Sequence, residues 1–167
     1  MLLNSRRTFL KETFLTTAVV VMSGTKLFGA VAPLDTISFV QKDLFPDTAG
    51  VPTLKDINAL PYLLLVLQHS RVTDLDKNYI RDGVQWLNEE AVEMYNKTYT
   101  QLSASQRQSV LKSITQYMWG ETWIKTIMTY IYEAMLCDPI YGGNKNEIGW
   151  KWLNHTAGKP RPTKALL

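Results

Sequence analysis

The stretch DLDKNYIRDGVQWLNEEAVEMYNKTY, residues 74–99, decides the fold. Leu75, Tyr79, Val84, Leu87, Ala91, Met94 and Tyr95 return at three- and four-residue spacing, which lays them along one side of an α-helix. Asp74 opens this helix and the pattern predicts that it persists to about Tyr99, with Gly83 a weak point inside it and not an end. The same period recurs on both sides of it. Upstream, Ile57, Leu60 and Leu63 to Leu67 predict a helix running toward His69, with Thr53 as its cap and Asp56 in its first turn. Pro61 either kinks that helix or marks its true start near Asn58. The run Tyr62 to Leu67 is apolar on all sides, which predicts a central, buried helix. Earlier still, Ile37, Phe39, Val40, Leu44 and Phe45 give a short amphipathic helix over residues 35–47, stopped at Pro46 and followed by a loop to Thr53.

Downstream, Ser103 and Gln106 have the spacing of a capping box, and Val110, Leu111, Ile114, Tyr117 and Met118 supply an apolar face behind it. Gly120 divides this helix from a last one, Glu121 to Leu136, carried by Trp123, Ile124, Ile127, Met128, Ile131 and Met135. After Cys137 the character changes to Gly, Asn, Trp and Pro. Strand-length alternation with hairpin turns is not found from Ser38 onward. The expectation is an all-α protein: a small helical bundle with an irregular Gly/Trp-rich C-terminal tail.

With 167 residues, 46% hydrophobic and 20% charged, the chain has room for one globular domain and is neither disordered nor a multi-pass membrane protein. The formal charge of +3 resides in residues 1–32, where Arg6, Arg7, Lys11 and Lys26 stand against Glu12; the remainder carries equal numbers of basic and acidic side chains. A neutral body offers no basic face, so a nucleic-acid partner is not implied. The single cysteine, Cys137, excludes an internal disulfide framework, a cysteine-rich metal site and C-x-x-C-H haem attachment.

Ser5, Arg6, Arg7, Phe9, Leu10 and Lys11 match the twin-arginine signal pattern S-R-R-x-F-L-K at each specified position. A weakly apolar stretch from Thr13 to Met22 follows, about half of the roughly 20 residues a membrane span needs. Residues 1–32 therefore resemble a twin-arginine signal peptide, with residues 33–167 as the helical domain. Ala30 and Ala32 present small residues for cleavage after Ala32, whereas Pro33 removes the N–H an extended peptidase substrate would donate. The resemblance implies export in the folded state to the periplasm through the twin-arginine translocase.

The tail carries a second resemblance. Asp138, Pro139, Tyr141, Gly142, Gly143 and Asn144, followed by Gly149 and Trp150, spell D-P-x-Y-G-G-N and then G-W. This resembles the small subunit of gluconate 2-dehydrogenase, the subunit 3 family. Where relatives continue into a G-F-P-G turn, this chain has Leu153, Asn154, His155, Thr156, Ala157 and Gly158. The resemblance implies a non-catalytic subunit that accompanies a large FAD-dependent dehydrogenase of the glucose–methanol–choline type. It would escort that partner through the twin-arginine pore and stabilise it. FAD would sit on the partner and haem c on a multi-haem cytochrome third subunit, the complex lying peripheral to the inner membrane. Sugars or sugar acids such as gluconate would be the substrates.

The residues themselves are consistent with this. The chain has no G-x-G-x-x-G after a strand and no G-x-x-x-x-G-K loop. Asp138 before Pro139 is forced toward extended geometry, Gly142 and Gly143 permit close backbone approach, and Tyr141, Trp150 and Trp152 offer aromatic area. Two readings of this tail stand side by side: a docking surface for the partner, and a helix cap folding back on its own bundle. Asp138, Asn144, Asn146 and Glu147 lack EF-hand spacing, and His69 and His155 lie far apart in sequence, so no metal site is expected. Glu89, Glu90 and Glu93 read as a solvated helix face, and Trp119 and Trp123 as core or interface. Cys137 is read as either a buried, inert thiol or an intersubunit disulfide, and not as a nucleophile, because it follows a helix C-terminus and adjoins Asp138. The competing function is a free-standing periplasmic helical chaperone or binding protein.

Overall fold

Trp123 is fully buried, and its Nε1–H donates to the Ile80 carbonyl at 3.2 Å. A Cβ placed on Gly83 would stand 2.1 Å from that indole nitrogen, so only glycine lets the two helices close on the ring. Around this seam a computed structural model describes residues 32–165, and among them it contains six α-helices and no strand. They are α1 (Ala32–Leu44), α2 (Ala59–Gln68), α3 (Asp74–Tyr95), α4 (Ala104–Ile114), α5 (Met118–Leu136) and α6 (Ile148–Trp152). Short 3₁₀ turns occupy Tyr99–Gln101, Pro139–Tyr141 and Lys145–Glu147. The compact unit Asp35–Leu167 is the body described below. The signal residues Ser5, Arg6, Arg7, Phe9, Leu10 and Lys11 lie outside the described residues.

Helix α5 is the hub, packing against α2, α3, α4 and α6. Its Trp123, Ile127 and Ile131 are fully buried with Leu63, Leu87, Val110 and Ile114 from the surrounding helices. Each such aliphatic side chain contributes on the order of 1.5–3 kcal/mol on burial. Helix α1 is pinned to α4 by an ion pair removed from water. Asp43 Oδ2 accepts from Arg107 Nε at 2.6 Å and from the Tyr99 hydroxyl at 2.8 Å, while Arg107 Nη2 donates to Oδ1 at 3.0 Å. Side-chain exposure is only 14% for Arg107 and 7% for Asp43, so the pair depends on these bonds for its stability.

Several boundaries differ from the sequence-based expectation, each for a local reason. The first helix covers Ala32–Leu44 and not residues 35–47. The helix expected to reach Tyr99 stops at Tyr95, because Asn96 turns left-handed (φ 53°, ψ 34°). Thr53 caps a separate turn and not α2: its N–H and hydroxyl both reach Asp56 Oδ2, and left-handed Asn58 then resets the chain so that α2 begins at Ala59. Pro61 thereby falls in the first turn, where a missing N–H costs nothing.

Gly120 does not divide two helices. It lies inside the first turn of α5, where a Cβ would meet the Ile114 carbonyl oxygen at 2.1 Å, so the α4–α5 corner is tight. Tyr117 and Met118 are exposed at this corner and do not extend the apolar face of α4. Leu75 and Met94 are also exposed, leaving Ile80, Val84, Leu87 and Ala91 as the buried stripe of α3. Helix α2, expected to be central, is buried on one face alone, with Leu65 43% exposed. The Ser103–Gln106 capping box forms as the spacing predicts.

Candidate functional site

An α-helix ends with carbonyls that have no intrahelical partner. At the end of α5 these are answered by the tail, and the answer organises the D-P-x-Y-G-G-N segment. Cys137 leaves the helix in extended geometry (φ −65°, ψ 163°), and Asp138, restricted by the proline that follows it, continues extended (φ −63°, ψ 135°). Asp138 Oδ1 then accepts from the Ile140 N–H at 3.1 Å and opens the Pro139–Tyr141 turn. Gly142 closes that turn at φ +90°, a left-handed value that favours glycine. Its carbonyl accepts from Asn58 Nδ2 at 2.6 Å, tying the tail to the start of α2.

Asn144 is the centre of the arrangement. It is completely buried and left-handed (φ 45°, ψ 47°). Its N–H donates to the Ala134 carbonyl at 2.5 Å and to the Ile57 carbonyl at 3.1 Å. Its Nδ2 donates to the Cys137 carbonyl at 2.9 Å, and its Oδ1 accepts from the Gly149 N–H at 2.8 Å. The indole Nε1–H of Trp150 reaches the Leu136 carbonyl at 2.7 Å. Three carbonyls at the end of α5 are thus capped from one short segment.

Two glycines permit the close approach. A Cβ at Gly143 would lie 2.6 Å from the Ala134 oxygen, and one at Gly149 would lie 2.0 Å from the Met135 oxygen. Arg161 seals the outside: Nε donates to Asp138 Oδ2 at 2.9 Å, Nη1 donates to Glu147 Oε1 at 2.5 Å, and the guanidinium lies 5.1 Å from the Trp150 ring centroid. These bonds from Arg161, and the Ile140 N–H, hold the Asp138 carboxyl below its ordinary range.

All eight motif residues are therefore brought together. Gly143, Asn144, Gly149 and Trp150 face inward, while Asp138, Pro139, Tyr141 and Gly142 are half-buried at the rim. From the sequence, Asn58 stood out only as a helix start and the α2 residues beneath the tail only as core, while Arg161 did not stand out at all. Arg161 lies 23 residues from its partner Asp138, beyond any local pattern. His69 caps the end of α2, and His155 packs edge-on against Trp150. Among the described residues no group of three or more His, Cys, Asp or Glu side chains comes together.

Beside this cap lies a shallow cleft of about 400 Å³, lined by Tyr62, Thr129, Tyr132, Glu133, Leu136 and Cys137. Tyr132 and Leu136 are each close to half exposed, and Leu65 extends the apolar surface one helical turn along from Tyr62. A Cβ at Gly142 would stand 3.8 Å from Leu65 Cδ2, so the tail borders the same surface. The Tyr62 hydroxyl donates to Glu133 Oε2 at 3.2 Å, and burial followed by the Glu133 charge raises its pKa. Burial pushes the Cys137 thiol up as well, opposed in part by the Gly143 N–H and reinforced by Asp138. A thiol held in its neutral form, in a cleft that also carries Glu133, is poorly placed for nucleophilic attack.

The fold and this cap define a small all-helical protein whose C-terminal tail is locked onto the end of its hub helix. The chain belongs to the gluconate 2-dehydrogenase subunit 3 family, whose sequence profile matches residues 34–158. No curated protein and no solved structure matches it. Membership makes it a subunit of a gluconate 2-dehydrogenase complex, with the other subunits of that complex as its partners.

Proposed function

We propose that this chain is the non-catalytic small subunit of an exported FAD-dependent dehydrogenase of the glucose–methanol–choline type, acting on a sugar or sugar acid such as gluconate. The observation that carries the reading is the family match across residues 34–158. The large subunit holds the FAD and a multi-haem cytochrome c takes the electrons, while this chain stabilises the flavoprotein. Residues 1–32 deliver the complex through the twin-arginine translocase to the periplasm, where it sits peripheral to the inner membrane.

The cleft and its rim are the docking surface in this reading. Leu65, Tyr132 and Leu136 expose apolar area that the bundle does not cover, and aromatic and aliphatic anchors of this kind dominate protein interfaces. Asp138, Pro139, Tyr141 and Gly142 complete the surface, and the buried Gly143, Asn144, Gly149 and Trp150 hold it in shape. Cys137, in the cleft wall, forms a disulfide with a cysteine of the large subunit.

Co-expression with the large subunit tests the whole reading. A Leu65→Asp, Leu136→Asp variant should fold but lose the flavoprotein on purification. Arg6→Lys with Arg7→Lys keeps the charge but removes the planar guanidinium pair, and should leave both subunits in the cytoplasm. Periplasmic dehydrogenase activity unchanged by the arginine substitutions would refute the escort role. A flavoprotein that never co-purifies with this chain would favour the free-standing periplasmic chaperone.

A further inference from the structure

A second cleft of about 220 Å³, with Asn58 in its lining, lies between α1 and the start of α2. Its lining contains Ser38, Gln41, Lys42, Lys55 and Leu60, and it contains no carboxylate. Gln41 is 2% exposed, and its Nε2 has no hydrogen-bond partner. An unpaired buried amide is rare in folded proteins because it forfeits its hydration without replacement.

Leu60, Lys42 and Lys55 line the same cleft. The Leu60 N–H, in the first turn of the ten-residue helix α2, has no backbone acceptor among the described residues. It presents the positive end of the helix dipole, and Pro61 beside it has no N–H to compete. Lys42 and Lys55 form no ion pair among the described residues. The carboxylates next to them in sequence are already engaged, Asp43 by Arg107 and Tyr99 and Asp56 by Thr53. The cleft therefore gathers two lysines outside any ion pair, a helix N–H without a backbone acceptor and an unsatisfied buried amide, and no carboxylate lines it. Lys55 also feels the Asp56 charge, and Lys42 lies 5.9 Å from the Phe39 ring centroid.

We propose that this cleft is a binding site for a small oxyanion, a carboxylate or phosphate, distinct from the apolar docking cleft. The anion accepts from the Leu60 N–H and from the Gln41 amide, and the two lysines neutralise it at the rim. Two sources supply that chemistry: a free small anion, or an acidic side chain inserted by the large subunit.

The test uses the full chain at constant ionic strength, with sodium chloride replaced stepwise by sodium phosphate or sodium gluconate. The expected result is a saturable rise in melting temperature with one or both anions. In Lys42→Gln, Lys55→Gln this response should weaken by about tenfold in apparent affinity, with melting in chloride unchanged. Gln41→Leu should melt higher than the wild type in chloride, because the unsatisfied amide is gone, and should lose the anion response. If neither free anion acts, the second arm measures attachment to the large subunit. There, several-fold weaker and less salt-sensitive binding by the double lysine variant identifies the anion as a partner carboxylate. Wild type and double variant behaving alike in both arms would overturn the proposal.

Discussion

The side chain of Asn144 donates from Nδ2 to the carbonyl of Cys137 at 2.9 Å, so a residue seven positions downstream caps the helix from which the chain has just emerged. Its other amide atom accepts from Gly149, and its own N–H returns to Ala134. One buried asparagine thus holds the end of α5, the start of α6 and the glycine turn between them. An asparagine suits the position on two counts: it tolerates the left-handed backbone, and its amide supplies a donor and an acceptor together.

Asn144→Ala removes both side-chain bonds and leaves the Cys137 carbonyl and the Gly149 N–H without partners. The expected loss is about 3–5 kcal/mol, from two buried unsatisfied groups and a strained left-handed alanine. Asn144→Gly loses the same bonds without the strain and should be about 1 kcal/mol less harmful. Denaturant unfolding of the full chain measures both. Equal stability of Asn144→Ala and wild type would show that the cap contributes nothing.

Gly149→Ala should be among the most damaging of the conservative changes in this chain. The added Cβ would meet the Met135 carbonyl oxygen at 2.0 Å, and that oxygen is backbone, unable to step aside without moving α5. Gly158→Ala is the control, since a Cβ there meets nothing within 4 Å. The first should lower the melting temperature by many degrees, at a cost of about 3 kcal/mol, and the second should leave it unchanged.

The helical class was legible because period, caps and breakers agree: Ser103 with Gln106, and the buried stripe of α3, are local signals. The tail's turn chemistry was legible too, since Asp138 before Pro139 restricts its own backbone. What escaped the sequence were relations between distant segments. Gly83 reads as a weak point in a helix until Trp123, from another helix, occupies the space its missing side chain leaves. Leu65 reads as core because it stands in an unbroken apolar run, and only the arrangement of α2 against α5 leaves it facing outward. Local periodicity cannot tell an apolar residue covered by its own fold from one left for a partner.

Tyr99 couples stability to alkaline pH. Burial, and then its hydrogen bond to Asp43, raise the phenol's pKa above the ordinary value of 10.0. Above that value the unfolded chain loses the proton while the folded chain keeps it. Stability is therefore fully present below pH 10 and falls as pH rises beyond it, by up to about 1.4 kcal/mol per pH unit for this group. Tyr99→Phe should be less stable at neutral pH, having lost the bond to Asp43, yet show a shallower decline above pH 10. Stability curves at pH 7 to 11 read both effects, and parallel slopes would remove Tyr99 from the account.

Cys137 joins the cap to the apolar cleft. Its carbonyl is held by Asn144 and its thiol lies in the wall of the apolar cleft, half-buried. With the thiolate disfavoured by burial, alkylation of the free chain should be slow and should accelerate above the ordinary thiol value of 9.0. Disulfide formation with the large subunit then depends on the partner's cysteine being the attacking thiolate, or on assembly positioning the two sulfurs before oxidation. A denaturing gel of the oxidised complex without reductant should show one species with the summed mass of both subunits, which reductant separates. Cys137→Ser should abolish that species while leaving the free chain close to wild type in stability, because the hydroxyl can still accept from the Gly143 N–H at this half-buried position. Peptide mapping that finds an unmodified Cys137 thiol in fully assembled, oxidised material would instead establish the inert, buried thiol, with the docking surface held by apolar contact alone.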